Sequence, residues 1–307
     1  MNNLNQEISN YLVYCSEHKQ LDTKTIKAYK IDLTQFADWL KVPSAEVITH
    51  QILEEYIGTL HKKYKPKTVK RKIASLKALF HHLEYKDVIQ LNPFNKLQIH
   101  FREPQILPKT IPLHTLEVLF KTVYQEISNA RTPFQRKKAL RDAAVLELLF
   151  ATGMRISELC NLRASDVNLI ECTVLIFGKG RKERRMQITN RDVVIALSNY
   201  AQAFASEISM SNYFFVNPSA TPLSDQAVRR MINKYTSQAA IAQHITPHMF
   251  RHTFATALLE ADVDIRYIQE ILGHSSINVT EIYTHVALSK QRDILENKHP
   301  RNGMAVR

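Results

Sequence analysis

Residues 143–159 read Ala143-Ala-Val-Leu-Glu-Leu-Leu-Phe-Ala-Thr-Gly153-Met-Arg155-Ile-Ser-Glu158-Leu159. Ala143–Thr152 is an apolar helical segment, and Gly153 is where it ends, since glycine takes the left-handed backbone that closes a helix. Arg155 lies just beyond that end, with Glu158 one turn further on. In isolation this is a structural ion pair. The same carboxylate can equally hold a functional arginine in position, and the two readings are compatible. Outward from here the second half of the chain stays helical except in one place. Thr173-Val-Leu-Ile-Phe177 is β-branched and apolar, and Met186-Gln-Ile188 can return as its partner strand. Helices are expected to resume after about Ser224.

The first hundred residues read as consecutive helices. Ile26, Tyr29, Leu33, Phe36 and Leu40 recur at steps of three and four, with Asp22 or Thr23 available as N-cap. Val69, Ile73, Leu76, Phe80 and Leu83 repeat the pattern and fall within roughly 40° of one line on a helical wheel. Lys67, Lys70, Arg71 and Lys77 lie roughly 80–200° away on the same wheel. Between His61 and Leu83 there are eight Lys or Arg and no Asp or Glu. A solvated helix mixes charges of both signs, whereas a face of one sign fits docking against phosphates. Phe101-Arg-Glu-Pro104-Gln-Ile-Leu-Pro108-Lys-Thr-Ile-Pro112 cannot continue a helix and marks a boundary between two domains.

The chain has 307 residues, enough for two cores. Only six glycines argue against a loop-rich all-β protein. Lys plus Arg number 41 against 29 Asp plus Glu, a net charge of +12. Sixteen basic and eleven acidic residues precede position 106, and 25 and 18 follow it. Both halves therefore carry the excess, as expected if both touch one polyanion. Cys15, Cys160 and Cys172 show no C-x-x-C spacing and cannot all pair, which suits a reducing compartment. No stretch reaches the length of a membrane span, so the sequence points to a soluble, cytoplasmic protein.

Five segments carry chemistry. Thr246-Pro247-His248-Met-Phe-Arg251 opens a helix, with Thr246 as cap and Pro247 in the first helical position. His248 and Arg251 then converge on one face with His252 and Ala255, while Phe250, Phe254 and Ala257 are expected to be buried on the other. Lys179 sits between Gly178 and Gly180 at the tip of the hairpin, followed by Arg181, Lys182, Arg184 and Arg185 with only Glu183 between them. Such a hairpin should touch a phosphate backbone. His274 follows Gly273, which ends a helix containing Ile268 and Leu272. Tyr283 lies nine residues on, in a second short helix; alone it reads as core packing, one of twelve tyrosines. Together these groups suit attack on a phosphodiester, because guanidinium forks neutralise phosphate oxygens and a phenol can be the nucleophile. His248 and His252 have the spacing of a helical zinc pair, with His274 and His285 as further ligands. Arg251 between them is unfavourable beside a divalent metal, so no metal site is assigned.

In combination these segments resemble the tyrosine recombinase (integrase) family, most closely its compact Xer-type members. The resemblance implies a mainly α fold with a small β-sheet. A helical, SAM-like core-DNA-binding domain (1–103) and a Pro-rich linker (104–112) precede a mixed α/β catalytic domain (113–286). A tail (287–307) contacts a neighbouring protomer, and the whole forms a C-shaped clamp on DNA. By resemblance, Arg155 and Arg251 clamp the scissile phosphate, His248 handles the nucleophile's proton and Lys179 protonates the leaving 5′-oxygen. His274 binds the phosphate, Tyr283 attacks to form a 3′-phosphotyrosyl link, and Glu158 supports. Lys67, Lys70, Arg71, Lys77, Arg181, Lys182 and Arg184 are the expected DNA contacts. No cofactor is implied; the partners are double-stranded recombination sites held by a homotetramer, with a paralogous recombinase or accessory protein left open.

Residues 127–138 look longer than the usual Xer connection and read as an inert loop in preference to an added DNA or subunit contact. An arm-binding domain of the lambda type is not expected ahead of the helical domain, which favours core-site recombination. A type IB topoisomerase shares the chemistry, and a catalytically silent DNA-binding protein shares the basic faces; both stay open at this point.

Overall fold

Of the two caps expected from the sequence, Asp22 caps its helix through its side chain, whereas Thr246 holds the N-cap position before Pro247 with no side-chain cap hydrogen bond. The computed structural model describes residues 3–41, 44–99, 109–178 and 183–273. Helix α1 (Leu4–Glu17) starts at Asn3, whose side chain accepts from the Asn5 N–H. In α2 (Thr23–Leu40) the Asp22 carboxylate accepts from Thr25 N at 2.9 Å. Thr49 caps α3 (His50–Lys63), and Pro66 opens α4 (Pro66–Tyr85). The stripe Val69, Ile73, Leu76, Phe80 and Leu83 is buried throughout, against Leu33, Phe36, Leu53 and Tyr56.

Lys67, Lys70, Arg71 and Lys77 are on the exposed side of α4. One member of the basic run behaves differently. Lys72 is 2% exposed; its ammonium donates to Asp32 at 3.0 Å and to Gln35. Arg71 reaches the same carboxylate from outside, and the Ser75 hydroxyl donates to it at 3.2 Å. The counter-charge missing from residues 61–83 is supplied by α2.

The chain divides into two compact units, Met1–Gln105 and Ile106–Arg307. That division falls inside the proline-rich segment, of which residues 109–112 are described. Here the backbone of the second unit is fastened early: Ile111 N donates to the Thr253 hydroxyl at 2.8 Å, and Gln243 donates to Thr110 O at 2.9 Å.

Helices α5 (Leu113–Ser128) and α6 (Pro133–Thr152) follow. The loop expected over 127–138 is mostly helix; residues 129–132 alone separate α5 from α6. Thr132 accepts from Gln135 N at 3.2 Å, and Pro133 takes the first position. Thr132-Pro133 is itself a helix-start signal, cap followed by proline in the first position. Helix α6 packs against α5 and against α8 (Arg191–Ala203), and Ala143 to Leu146, Leu148 and Leu149 are at most 1% exposed. The second half of α6, buried on most sides, runs through the centre of the unit.

The short helix α7 (Ile156–Cys160) leads into a three-stranded antiparallel sheet, β1 (Val167–Asn168), β2 (Thr173–Phe177) and β3 (Glu183–Gln187), in that order. Thr173 faces Gln187 and Phe177 faces Glu183, so β3 begins three residues before the expected Met186. Two further helices, α8 and α9 (Ala205–Ser211), occupy a stretch where helices were not expected before Ser224. The pattern was present: Val193, Ala196, Leu197 and Tyr200 are buried at helical spacing, behind Asn190 as cap. The unit continues with α10 (Asp225–Gln238), α11 (Pro247–Glu260) and α12 (Ile265–Leu272). Among the described residues no helix is long and apolar enough to cross a membrane.

The Asp32 cluster makes a stability prediction. Removing one partner of a buried pair strands the other charge, a loss of about 3–5 kcal/mol. Asp32→Ala should therefore lower the urea midpoint of the full chain, followed by circular dichroism. Asp32→Leu with Lys72→Met should recover much of it. An unchanged midpoint for Asp32→Ala would show that the cluster does not hold α2 to α4.

Candidate active site

Gly153 closes α6 in the left-handed region (φ 57°) and donates its N–H to Leu149 O. The turn it makes points its own carbonyl at α11. There Arg251 donates Nη1 to Gly153 O at 2.7 Å and Nη2 to Leu272 O, at the end of α12, at 2.7 Å. Arg251 is 5% exposed. Carbonyl dipoles orient the guanidinium without cancelling its charge. Burial, followed by the neighbouring Arg155 guanidinium, pushes Arg251 down to about 9. An anion bound at this pair would relieve both effects.

Arg155 stands two residues beyond Gly153 and is part-exposed. Its Nη1 donates to Glu158 Oε1 at 2.7 Å, and its backbone N–H donates to Oε2 at 3.0 Å. Arg184, from β3, donates Nη2 to the same Oε2 at 2.7 Å. Burial alone would push the Glu158 carboxyl up; the hydrogen bonds from Arg184 and Arg155 outweigh it and hold the group below its ordinary value. Three guanidinium groups thus surround one carboxylate, and the cluster keeps a positive excess.

Expectation and structure differ at two points. Arg251 and Ala255 are as buried as Phe250, while Phe254 and Ala257 are only half-buried. The reason is that α11 packs on α6 on one side and on α12 on the other, so it has no single apolar face. His248, three residues before Arg251 in the first turn of α11, is exposed at the rim. The second point is Arg184. It was expected among the DNA contacts of the hairpin; its side chain is 10% exposed and engaged with Glu158. Lys179, Arg181, Lys182, His274 and Tyr283 lie outside the described residues, as does the 287–307 tail. Among the described residues, no three His, Cys, Asp or Glu side chains are grouped as metal ligands.

The model of the phage integrase family matches residues 117–290, and that of the phage integrase N-terminal SAM-like domain matches residues 8–86. A curated tyrosine recombinase of Agathobacter rectalis is 63% identical over 301 residues, covering 98% of each chain. The chain belongs to the tyrosine recombinase family. The recombinase is also similar to the tyrosine recombinase XerC of Oceanobacillus iheyensis, 33% identical over 98% of each chain. Among solved structures, a XerH site-specific recombinase bound to palindromic difH substrate shares the fold, with a TM-score of 0.72 and 21% identity. The match spans 94% of this chain and 85% of that one. Site-specific DNA recombination of the XerC-like kind is thereby established as the class of activity, as are the mainly helical fold and the SAM-like first domain.

Sequence reasoning about this recombinase missed the anchoring of Arg251 by two helix-end carbonyls and the inward turn of Arg184. A signal for the second existed. Strand alternation puts Arg184 with Met186 on the half-buried face of β3 and Arg185 on the other.

Of Gly58, Gly153 and Gly273, Gly153 leaves the least room for a methyl group. A Cβ there would lie 2.6 Å from Phe254 Cδ1 and 2.8 Å from Leu272 Cδ2, at a positive φ. Gly153→Ala should cost more than about 2 kcal/mol from backbone strain and overpacking together. A melting temperature equal to wild type would contradict this account of the turn.

Proposed function

We propose that this recombinase exchanges DNA strands through a covalent 3′-phosphotyrosyl intermediate. The observation that supports this best is the Arg155–Arg251 pair: two guanidinium groups at one turn, one fixed by carbonyls and one by Glu158, with positive charge in excess. In this reading the pair holds two oxygens of the scissile phosphate and meets the charge that develops at phosphorus. The Tyr283 hydroxyl oxygen attacks phosphorus as its proton passes to His248. The bond from phosphorus to the 5′-oxygen breaks, Lys179 protonates that oxygen, and His274 donates to the phosphate. A 5′-hydroxyl from a partner duplex then displaces the phenol. One phosphodiester is exchanged for another at each step, so the chemistry requires neither ATP nor a metal. A homotetramer on two synapsed sites, in the cytoplasm, would carry out both strand exchanges. Dimer resolution and integration or excision of a mobile element are both served by this chemistry.

Trapping on nicked suicide DNA from the native locus tests the reading. Wild type should give a covalent band on a denaturing gel, and Tyr283→Phe should give none. A band in both would move the nucleophile elsewhere; none in either, with specific binding intact, would favour a silent DNA-binding protein.

The exposed face of α4 supplies the proposed phosphate-binding cations of the first domain. Each phosphate that is no longer neutralised should lower the slope of log affinity against log salt by about 0.9. Lys67→Gln with Lys77→Gln should weaken binding and flatten that slope. Equal slopes for variant and wild type would show that this face meets only solvent.

A further inference from the structure

Arg184 touches the two supports of the arginine pair at once. In β3 it stands opposite Ile176, and its Nη2 reaches the Glu158 carboxylate that holds Arg155. The other side of its guanidinium carries the turn that ends α12. A Cβ on Gly273 would lie 3.0 Å from Arg184 Nη1 and 3.2 Å from its Cδ, so only glycine fits there comfortably, at φ 65°. One residue earlier, Leu272 O receives Arg251. Only 10% of the Arg184 side chain is exposed, and its Nε meets no hydrogen-bond partner among the described residues.

The balance of charge gives this placement a consequence. Glu158 with Arg155 alone would be a neutral pair, and a phosphate would meet only a dipole there. Arg184 brings a second cation to the same carboxylate, so the trio keeps one net positive charge beside Arg251. We propose that Arg184 is a positioning residue for recombination: it shares the charge of Glu158, leaving Arg155 cationic toward phosphate, and seats the α12 turn that aims Arg251. This rests on the reading that Arg155 and Arg251 bind the scissile phosphate. It assigns the third guanidinium to the arginine pair rather than to the DNA backbone.

The test compares wild type, Arg184→Gln, Arg184→Lys and Arg155→Ala on nicked suicide DNA, measuring site binding and the cleavage rate of bound complex across pH. Arg184→Gln should bind nearly as well as wild type but cleave about tenfold more slowly, a smaller loss than that of a direct donor. Arg184→Lys should recover part of the rate, because it restores the charge without the flat seat for Gly273. The acid limb of the Arg184→Gln profile should move to higher pH. Glu158 loses a cation, so its carboxyl holds a proton to higher pH, and the low-pH form that no longer steadies Arg155 extends upward. Wild-type cleavage by Arg184→Gln overturns the proposal. So does weakened binding with an unchanged cleavage rate, which would make Arg184 a DNA contact. A rate loss with no rescue by lysine and no change in the pH profile also overturns it, leaving a structural role only. The Arg155→Ala variant separates the two layers. If it cleaves normally, the reading of the arginine pair fails; if it is inactive while Arg184→Gln is normal, only the role of Arg184 fails.

Discussion

The burial of one cation fixes much of the second unit. Taking a guanidinium out of water costs several kcal/mol even after relaxation, and Arg251 is buried without a carboxylate hydrogen-bonded to it among the described residues. Two carbonyl oxygens orient it, and both belong to helix ends. The end of α6, the first turns of α11 and the end of α12 must therefore meet at one point. Each of the two ends closes on a glycine with positive φ, since only that backbone turns the last carbonyls inward within one residue. Ile111 N bonded to Thr253 braces α11 from behind. An arrangement so constrained gives up stability for a charge held ready, which is what tight recognition of a phosphate needs.

Glu158 is the complementary half of that constraint. A single carboxylate among three guanidinium groups cannot neutralise them, and it stays ionised because its hydrogen bonds outweigh its burial. Its two oxygens are divided: Oε1 serves the Arg155 side chain, while Oε2 serves the Arg155 backbone and Arg184. The first oxygen aims a side chain and the second pins the chain that carries it. An aspartate, one methylene shorter, could not reach both without moving α7 toward β3.

Local signals were legible in the sequence and distant pairings were not. The stripe on α4, the Asp22 cap, the glycine end at Gly153 and the Pro247 start depend on neighbours within one or two turns, so spacing alone exposes them. Helix α8 carries an equally local signal in its Val193–Tyr200 stripe, whereas α9 buries no residue and carries none. The partners of Lys72 and Arg184 lie 40 and 26 residues away in the chain. No window over residues 61–83 can contain Asp32. For the site, spacing brought out Arg155 with Glu158 and His248 with Arg251, two pairs that the resemblance to the recombinase family joined. It gave no depth, and so placed His248 and Arg251 as equals when one is at the rim and the other inside.

Depth also changes what the net charge means. The formal value of +12 weighs every cation alike. Within α4, Lys72 lies about 60° from Val69 on the helical wheel, at the edge of the buried stripe, and Asp32 answers it from α2. Lys67 lies on the far side and Lys77 about 80° away on the opposite flank, and both face outward. In the second unit Arg141 is answered by Asp142, and Arg184 by Glu158. These internal cations add less to the field felt at a distance, since each has a carboxylate, in places a shared one, within hydrogen-bonding range. The attraction for a polyanion therefore comes from the exposed cations together with the excess left at the arginine cluster. In the proposed function the first supplies long-range, salt-sensitive affinity, and the second acts on a phosphate already at the turn. On that reading binding and cleavage draw on different charges of the same sign, separated by burial rather than by residue type.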